Sequence, residues 1–377
     1  MASNIANMAK VPELRKRLLF TFALLAVYRL GVHVPTPGID SAALAMFFKQ
    51  QKGTIFEVFN LFSGGALQRF SVFALGIMPY VSASIIMQLL TVVFPYLDRL
   101  NKEGEQGRRK IVQYSRYLTI VLSAIQGFGI ATFLESQGGL AGMRLVLNPG
   151  IWFKFQTVLT LVAGTAFIMW LGEQITERGV GNGISLIIFA GIVAGFPSAM
   201  GNTFQLVDAN QLGALGLVGL VALMVAVIWV IVFFEQAQRR VPVQHAKRIV
   251  GRRMYQAQSS YLPLKINMAG GIPPIFASSL LTFPATVAAF SQVPWLQNVT
   301  QQIRYGGWIY NTLEVGLIIF FCYFYTAVQF NPVDVADNMK KFGSYVPGIR
   351  PGQNTAEYIE KVIERITLVG AIYVSVI

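Results

Sequence analysis

The sequence predicts an all-α protein that crosses a membrane many times, on three observations. Of 377 residues, 54% are apolar and only 12% are charged, about half of the ~25% charge that a soluble domain carries. Mean hydropathy is +0.55. Apolar windows long enough to cross a hydrocarbon core of ~30 Å recur near 18–34, 73–95, 118–134, 152–172, 184–200, 212–234, 272–290 and 312–330. These make eight spans. A ninth begins near Ile366, and the twelve residues to Ile377 reach only ~18 Å at ~1.5 Å per residue, so the last helix reads as truncated. The high apolar content excludes intrinsic disorder, the lack of a glycine period excludes a collagen-like chain, and a single cysteine, Cys322, excludes a disulfide scaffold and leaves the redox compartment unread.

The amino end carries Lys10, Arg15, Lys16 and Arg17 ahead of the first apolar run, the charge pattern with which a secretory signal peptide also begins. No small-residue cleavage site follows. Tyr28 to Pro35 come instead, which makes this a retained first span. Counting loops alternately inside and outside places 23 of the 30 Lys and Arg residues in the amino-terminal tail and in 97–116, 173–183, 235–266 and 331–365. The positive-inside rule then puts the amino end in the cytoplasm. Arg29, Lys49, Lys52, Arg69, Arg144, Lys154 and Arg304 fall on the other side or near span ends. A formal charge of +13 is thereby read as topology rather than as a nucleic-acid footprint.

Three loops are expected to be structured. Loop 35–72 contains Asn60 to Phe70, an apolar piece broken by Gly64 and Gly65 and too short to span; it is either an interfacial helix or a re-entrant segment in a water-filled cavity. Loops 235–271 and 331–365 are long, polar and basic, with more arginine than topology needs.

The sequence contains no His-Glu-x-x-His, cysteine pair, Walker A or Gly-x-Ser-x-Gly pattern, and the topology separates its two histidines, His33 and His245. No cofactor or metal is expected. The middles of the eight spans also lack Asp and Glu; Glu173 and Glu314 lie only at span ends. Ion-coupled transporters need such groups near the midplane, which weighs against the competing solute-transporter reading, and an intramembrane enzyme would need a nucleophile or metal cluster. Several spans carry weakly polar stripes instead: Ser84, Gln88 and Thr91 on the second, Ser278, Ser279 and Thr282 on the seventh. Such stripes either join helices by hydrogen bonds or mark a helix pair that separates. Gly191-x-x-x-Gly195 reads as a packing face.

The segment Ala74-Leu-Gly-Ile-Met-Pro-Tyr-Val-Ser-Ala-Ser-Ile-Ile-Met-Gln-Leu-Leu90 resembles the bacterial SecY family, the channel subunit of the protein-secretion translocon. Lys102 to Lys110, Gly179-Val-Gly-Asn-Gly-Ile-Ser185, Leu262 to Gly270 and Val346-Pro-Gly-Ile-Arg-Pro-Gly352 are similar to further signatures in the same order. The resemblance implies ten helices in two inverted five-helix halves around an hourglass pore. Here these are 1–205, with a plug segment at about 60–72, and 206–377, with cytoplasmic loops 235–271 and 331–365, the ninth helix truncated and the tenth absent.

The resemblance further implies a passive channel of the bacterial inner membrane that passes unfolded secretory polypeptides and releases hydrophobic segments sideways into the lipid bilayer, with no catalytic centre. Val81, Ile85, Ile188, Ile192 and Ile275 would form its aliphatic pore ring; Val81 departs from the isoleucine common in relatives. Ser63, Gly64, Gly65, Ala66, Leu67, Gln68, Arg69 and Phe70 would be the plug, and the stripes Ser84, Gln88, Thr91 and Ser278, Ser279, Thr282 the lateral gate. Arg239, Arg240, Arg252, Arg253 and Arg350 would dock the SecA motor or the ribosome, although topology alone accounts equally for Arg239 and Arg240. Small membrane subunits SecE and SecG, signal peptides and nascent polypeptides complete the implied partners.

Overall fold

A computed structural model describes residues 11–40, 43–44, 46, 60, 63–137, 145–209, 211, 213–245, 248–250, 253–255, 259–290 and 307–377. The chain forms two compact units: Met1–Gln205 with Ser279–Tyr310, and Leu206–Ser278 with Asn311–Ile377. Every window expected to span overlaps a helix. Among the described residues, five helical spans are each long and apolar enough to cross a membrane, and a sixth results if a pair bent by 100° is counted as one.

The first unit begins with α1 (Pro12–Gly31), α2 (Met78–Val93) and α3 (Pro95–Lys102). Pro95 has no N–H to continue the helix before it, and the 100° bend lies there. α4 (Glu105–Gln137) and α5 (Ile151–Arg178) run side by side and antiparallel. Arg116 Nε donates to Glu173 Oε1 at 2.8 Å, and Lys154 Nζ pairs with Glu135 Oε2 at 2.9 Å. The two pairs lie 19 positions apart on each helix, about 28 Å of α-helix, close to the hydrocarbon thickness of ~30 Å. The pairs thus pin the register of α4 on α5 at both ends of an apolar stretch, where charge remains in reach of water.

α6 (Gly183–Val193) starts against α5. Asn182 caps it, its Oδ1 accepting from the N–H groups of Ile184 at 3.0 Å and Ser185 at 3.3 Å. A Cβ on Gly183 would run into the Gly172 carbonyl oxygen of α5, so the Gly179 to Ser185 signature is a cap plus a close helix crossing. α7 (Phe196–Asp208) follows a break at Ala194–Gly195. Gly191 and Gly195 therefore do not share one uninterrupted helical face, as their spacing suggested.

In the second unit α8 (Ala214–Gln236) has mean hydropathy 3.1 in its central window with no part of it buried. Only lipid offers such a face a favourable surrounding. The chain then forms β1 (Gln238–His245), the hairpin strands β2 (Arg248–Val250) and β3 (Arg253–Tyr255), and β4 (Ser259–Lys265). β4 pairs antiparallel with β1, Gln238 opposite Lys265 and Gln244 opposite Ser259. After α9 (Ile272–Phe290), α10 (Trp308–Gln329) and α11 (Pro332–Lys341), the short β5 (Ser344–Tyr345) adds to the other edge of β1.

The last helix, α12 (Gln353–Val376), corrects two expectations. It begins well before Ile366, and 331–365 is not a loop but α11, β5 and the first half of α12. Hydropathy hid this because the first half is amphipathic. Glu357, Glu360 and Glu364 face outward, while Ile359, Val362, Ile363 and Ile366 pack with Val241, Leu264 and Val346 of the sheet region. Ile359 is fully buried in that cluster. Ile359→Ala is expected to cost about 2–5 kcal/mol, read as earlier thermal unfolding and faster proteolysis of residues 238–265; an unchanged profile would show that the sheet does not depend on α12.

Candidate functional site

The segment Ser63–Phe70 is a chain of turns with two different ends. Its start is organised by Asn60, whose carbonyl accepts from the N–H of Gly65 at 2.8 Å and from Ser63 Oγ at 3.2 Å, and whose Oδ1 accepts from the N–H of Gln68 at 2.9 Å. Its far end is stapled to the strand-like stretch after α1: the Thr36 N–H donates to Phe70 O at 2.9 Å and the Val72 N–H to Val34 O at 3.0 Å. Leu67 and Phe70 are buried, packed in one apolar cluster with Leu44, Leu145, Phe153 and Leu161. The segment is therefore neither an interfacial helix nor a loose loop. Asn60 and the two buried side chains are its working parts that sequence patterns did not single out.

The tip of the segment sits between α6 and the turn that leads into α2. Gly64 has φ +65, and a Cβ there would lie 2.8 Å from Gly191 Cα on α6, closer than side-chain carbons approach. On the other side, a Cβ on Gly76, just ahead of α2, would lie 3.4 Å from Ser63 Cα and Cβ. α2 carries Val81 and Ile85, 6% and 5% exposed, and α6 carries Ile188 at 7% and Ile192 at 40%. Four of the five expected ring residues thus stand on α6, on which the tip rests, and on α2, which begins two residues after Gly76, with Gly191 between Ile188 and Ile192 in sequence. The fifth, Ile275, belongs to the second unit and is half-buried there on α9.

The polar stripes hydrogen-bond locally. Ser84 Oγ donates to Val81 O at 3.1 Å, Thr91 Oγ1 to Gln88 O at 2.6 Å and Ser278 Oγ to Ile275 O at 3.2 Å. Gln88 is half-buried, and Ser279 Oγ is buried with no hydrogen-bond partner among the described residues. The Thr282 side chain lies outside the described residues. Of the basic candidates, Arg239 and Arg240 are exposed on β1, and Arg350 is exposed on the turn before α12, where its carbonyl accepts from Thr355 Oγ1 at 2.9 Å. Arg252 lies outside the described residues, as does the side chain of Arg253, on β3.

A helical chain with an apolar exterior, a short re-entrant segment held against two helices and a polar sheet on one unit is a multi-pass membrane protein. It belongs to the SecY family, whose model matches residues 71–377. Protein translocase subunit SecY of Escherichia coli (strain K12) is 56% identical over 369 residues, covering 97% of this chain and 83% of that protein. Among solved structures, one of SecY described by a plug domain that stabilises the closed state of the translocation channel and maintains a membrane seal matches with TM-score 0.65 at 17% identity, over 98% of this chain and 88% of that one. Sec61 in the canine ribosome–channel complex from the endoplasmic reticulum matches with TM-score 0.64 at 15% identity over the same shares.

Gly64→Val puts a branched side chain at a positive φ and into the Gly191 backbone. It is expected to push the tip off α6 at a cost on the order of 2 kcal/mol while Leu67 and Phe70 keep their places. The check is protease or thiol-reagent access to a cysteine at Ser63, which should rise several-fold; unchanged access would mean that the tip does not rest on Gly191.

Proposed function

We propose that this chain is the protein-conducting channel of a bacterial inner membrane, with its amino end in the cytoplasm, and that Ser63–Phe70 is its plug. The observation that carries the reading is the seat of the Ser63–Gly64 turn between Gly76 and Gly191, directly beside the elements that bear Val81, Ile85, Ile188 and Ile192. An aliphatic ring suits such a channel. When narrow and empty it excludes ions by dewetting, and it yields around an extended polypeptide because it offers no fixed polar partner. The family and the SecY and Sec61 likenesses support the same function, with no catalytic step on this chain.

The plug is built to move at one end only. Leu67 and Phe70 anchor it in the apolar cluster, whereas its tip is held by backbone contact and a few hydrogen bonds. On α2 the Ser84 and Thr91 hydroxyls bond to carbonyls of their own helix, which suits a helix that lines a lateral gate. There a signal peptide would bind as a helix and a hydrophobic segment would partition into lipid.

Driving force would come from a SecA-type motor or from the ribosome, docking on the exposed arginines Arg239, Arg240 and Arg350, with Arg253 on β3 and its sequence neighbour Arg252. The planar guanidinium fork binds carboxylates and phosphates alike. SecE- and SecG-type subunits would complete the membrane complex. Arg350→Glu is expected to cut motor-dependent transport into vesicles about tenfold, as for loss of one complementary interface charge worth ~1.4 kcal/mol, at unchanged channel abundance. Transport at the unsubstituted rate would remove Arg350 from the docking surface. The channel reading as a whole is tested by transport of an unfolded, signal-bearing polypeptide into vesicles containing the chain and its motor; saturable uptake of small solutes with no polypeptide transport would replace it with a transporter.

A further inference from the structure

Arg29 stands on the side of the membrane where basic residues are few, and topology gives it no reason to be there. It occupies the last turn of α1, half-buried, and among the described residues no carboxylate lies within ion-pair distance of it. Its Nη1 instead donates to Gly64 O at 2.8 Å. The preceding residue, Tyr28, is 1% exposed and its hydroxyl donates to Ser63 O at 3.2 Å. Two consecutive side chains of α1 thus grip two consecutive carbonyls at the tip of the plug.

We propose that Tyr28 and Arg29 are the latch that holds the plug tip in its closed seat; this rests on reading Ser63–Phe70 as the plug. Gly64 and Gly65, with φ +65 and +84, turn the backbone so that the Gly64 carbonyl meets the guanidinium, and among the described residues no backbone N–H donates to that carbonyl. A charged donor on a neutral acceptor makes the stronger kind of hydrogen bond, and the carboxyl end of a helix favours a cation.

The latch is mounted on a fixed body. The Tyr28 ring stacks on Phe73 at 6.0 Å, and lower on α1 Thr21 Oγ1 accepts from the Val180 N–H at 3.1 Å, tying α1 to the turn before α6. When the tip leaves Gly191, α1 has no need to follow it. Both latch bonds are to backbone carbonyls, so the latch is indifferent to side chains in the plug and is broken by displacement alone.

The test is the resting ion conductance of the complete channel in planar bilayers, without a motor, at matched protein amount. Arg29→Met keeps the apolar stem and removes the donor; it is expected to raise the leak about tenfold, the size of one charge-assisted hydrogen bond. Tyr28→Phe is expected to raise it about threefold, as for a weaker neutral bond. Arg29→Lys keeps a charged donor and is expected to stay within about twofold of the unsubstituted channel. Deleting Ser63–Gly65 removes both carbonyls, spares Leu67 and Phe70, and should leak by itself, and Arg29→Met should then add nothing. A tight Arg29→Met channel beside a leaky deletion overturns the latch, and so does an Arg29→Met effect that persists undiminished in the deletion. An Arg29→Lys channel as leaky as Arg29→Met overturns the charged bond. A deletion that does not leak overturns the plug reading itself, and the latch with it.

Discussion

Two backbones can lie directly on one another only where side chains are missing, and the candidate site depends on one such contact. Gly64 of the short segment rests on Gly191 of α6, and Ser63 packs beside Gly76, ahead of α2. A Cβ at Gly64 would hold the tip away from α6, the helix that carries Ile188 and Ile192. The contact is close but weak in chemical terms. It offers van der Waals attraction over a small area and no side-chain interlock.

The rest of the first unit keeps that contact in register. α4 and α5 are pinned at both ends by Arg116–Glu173 and Glu135–Lys154, α6 is fixed on α5 by the Gly183–Gly172 crossing and capped by Asn182, and the far end of the segment is buried through Leu67 and Phe70. On the plug reading proposed above, a frame fixed in this way lets the tip move without deforming the helices. The second unit concentrates its polar structure in the β1–β4–β5 sheet on α12; β1 presents Arg239 and Arg240, and the turn before α12 presents Arg350.

Much of this was legible in the sequence. Low charge and repeated apolar windows gave the membrane helices, because lipid tolerates few other backbone arrangements. Asn182 and the glycines around it explain a signature that resemblance alone would leave as a string of letters. Legibility failed where structure is polar or compound. The first half of α12 escaped because its outward residues, Glu357, Glu360 and Glu364, masked the buried face of Ile359, Val362 and Ile363 in a hydropathy average. The Gly191-x-x-x-Gly195 face escaped because a helix break at Ala194–Gly195 is not encoded by spacing. The role of Tyr28 and Arg29 toward Ser63 and Gly64 spans 35 residues of sequence, and no local pattern announces it.

The central claim, that the Ser63–Gly64 tip must leave its seat for a polypeptide to pass, is tested most directly by tying it down. Ser63→Cys and Gly76→Cys, with Cys322 replaced by Ala, bring two sulfurs together at positions where a built Gly76 Cβ lies 3.4 Å from Ser63 Cβ, near the ~3.5–4.5 Å of a disulfide. Motor-driven transport into vesicles is then measured before and after reduction. The oxidised channel is expected to be sealed and inactive and to regain transport when the disulfide is reduced. Transport at the reduced rate while the disulfide is intact would contradict the account.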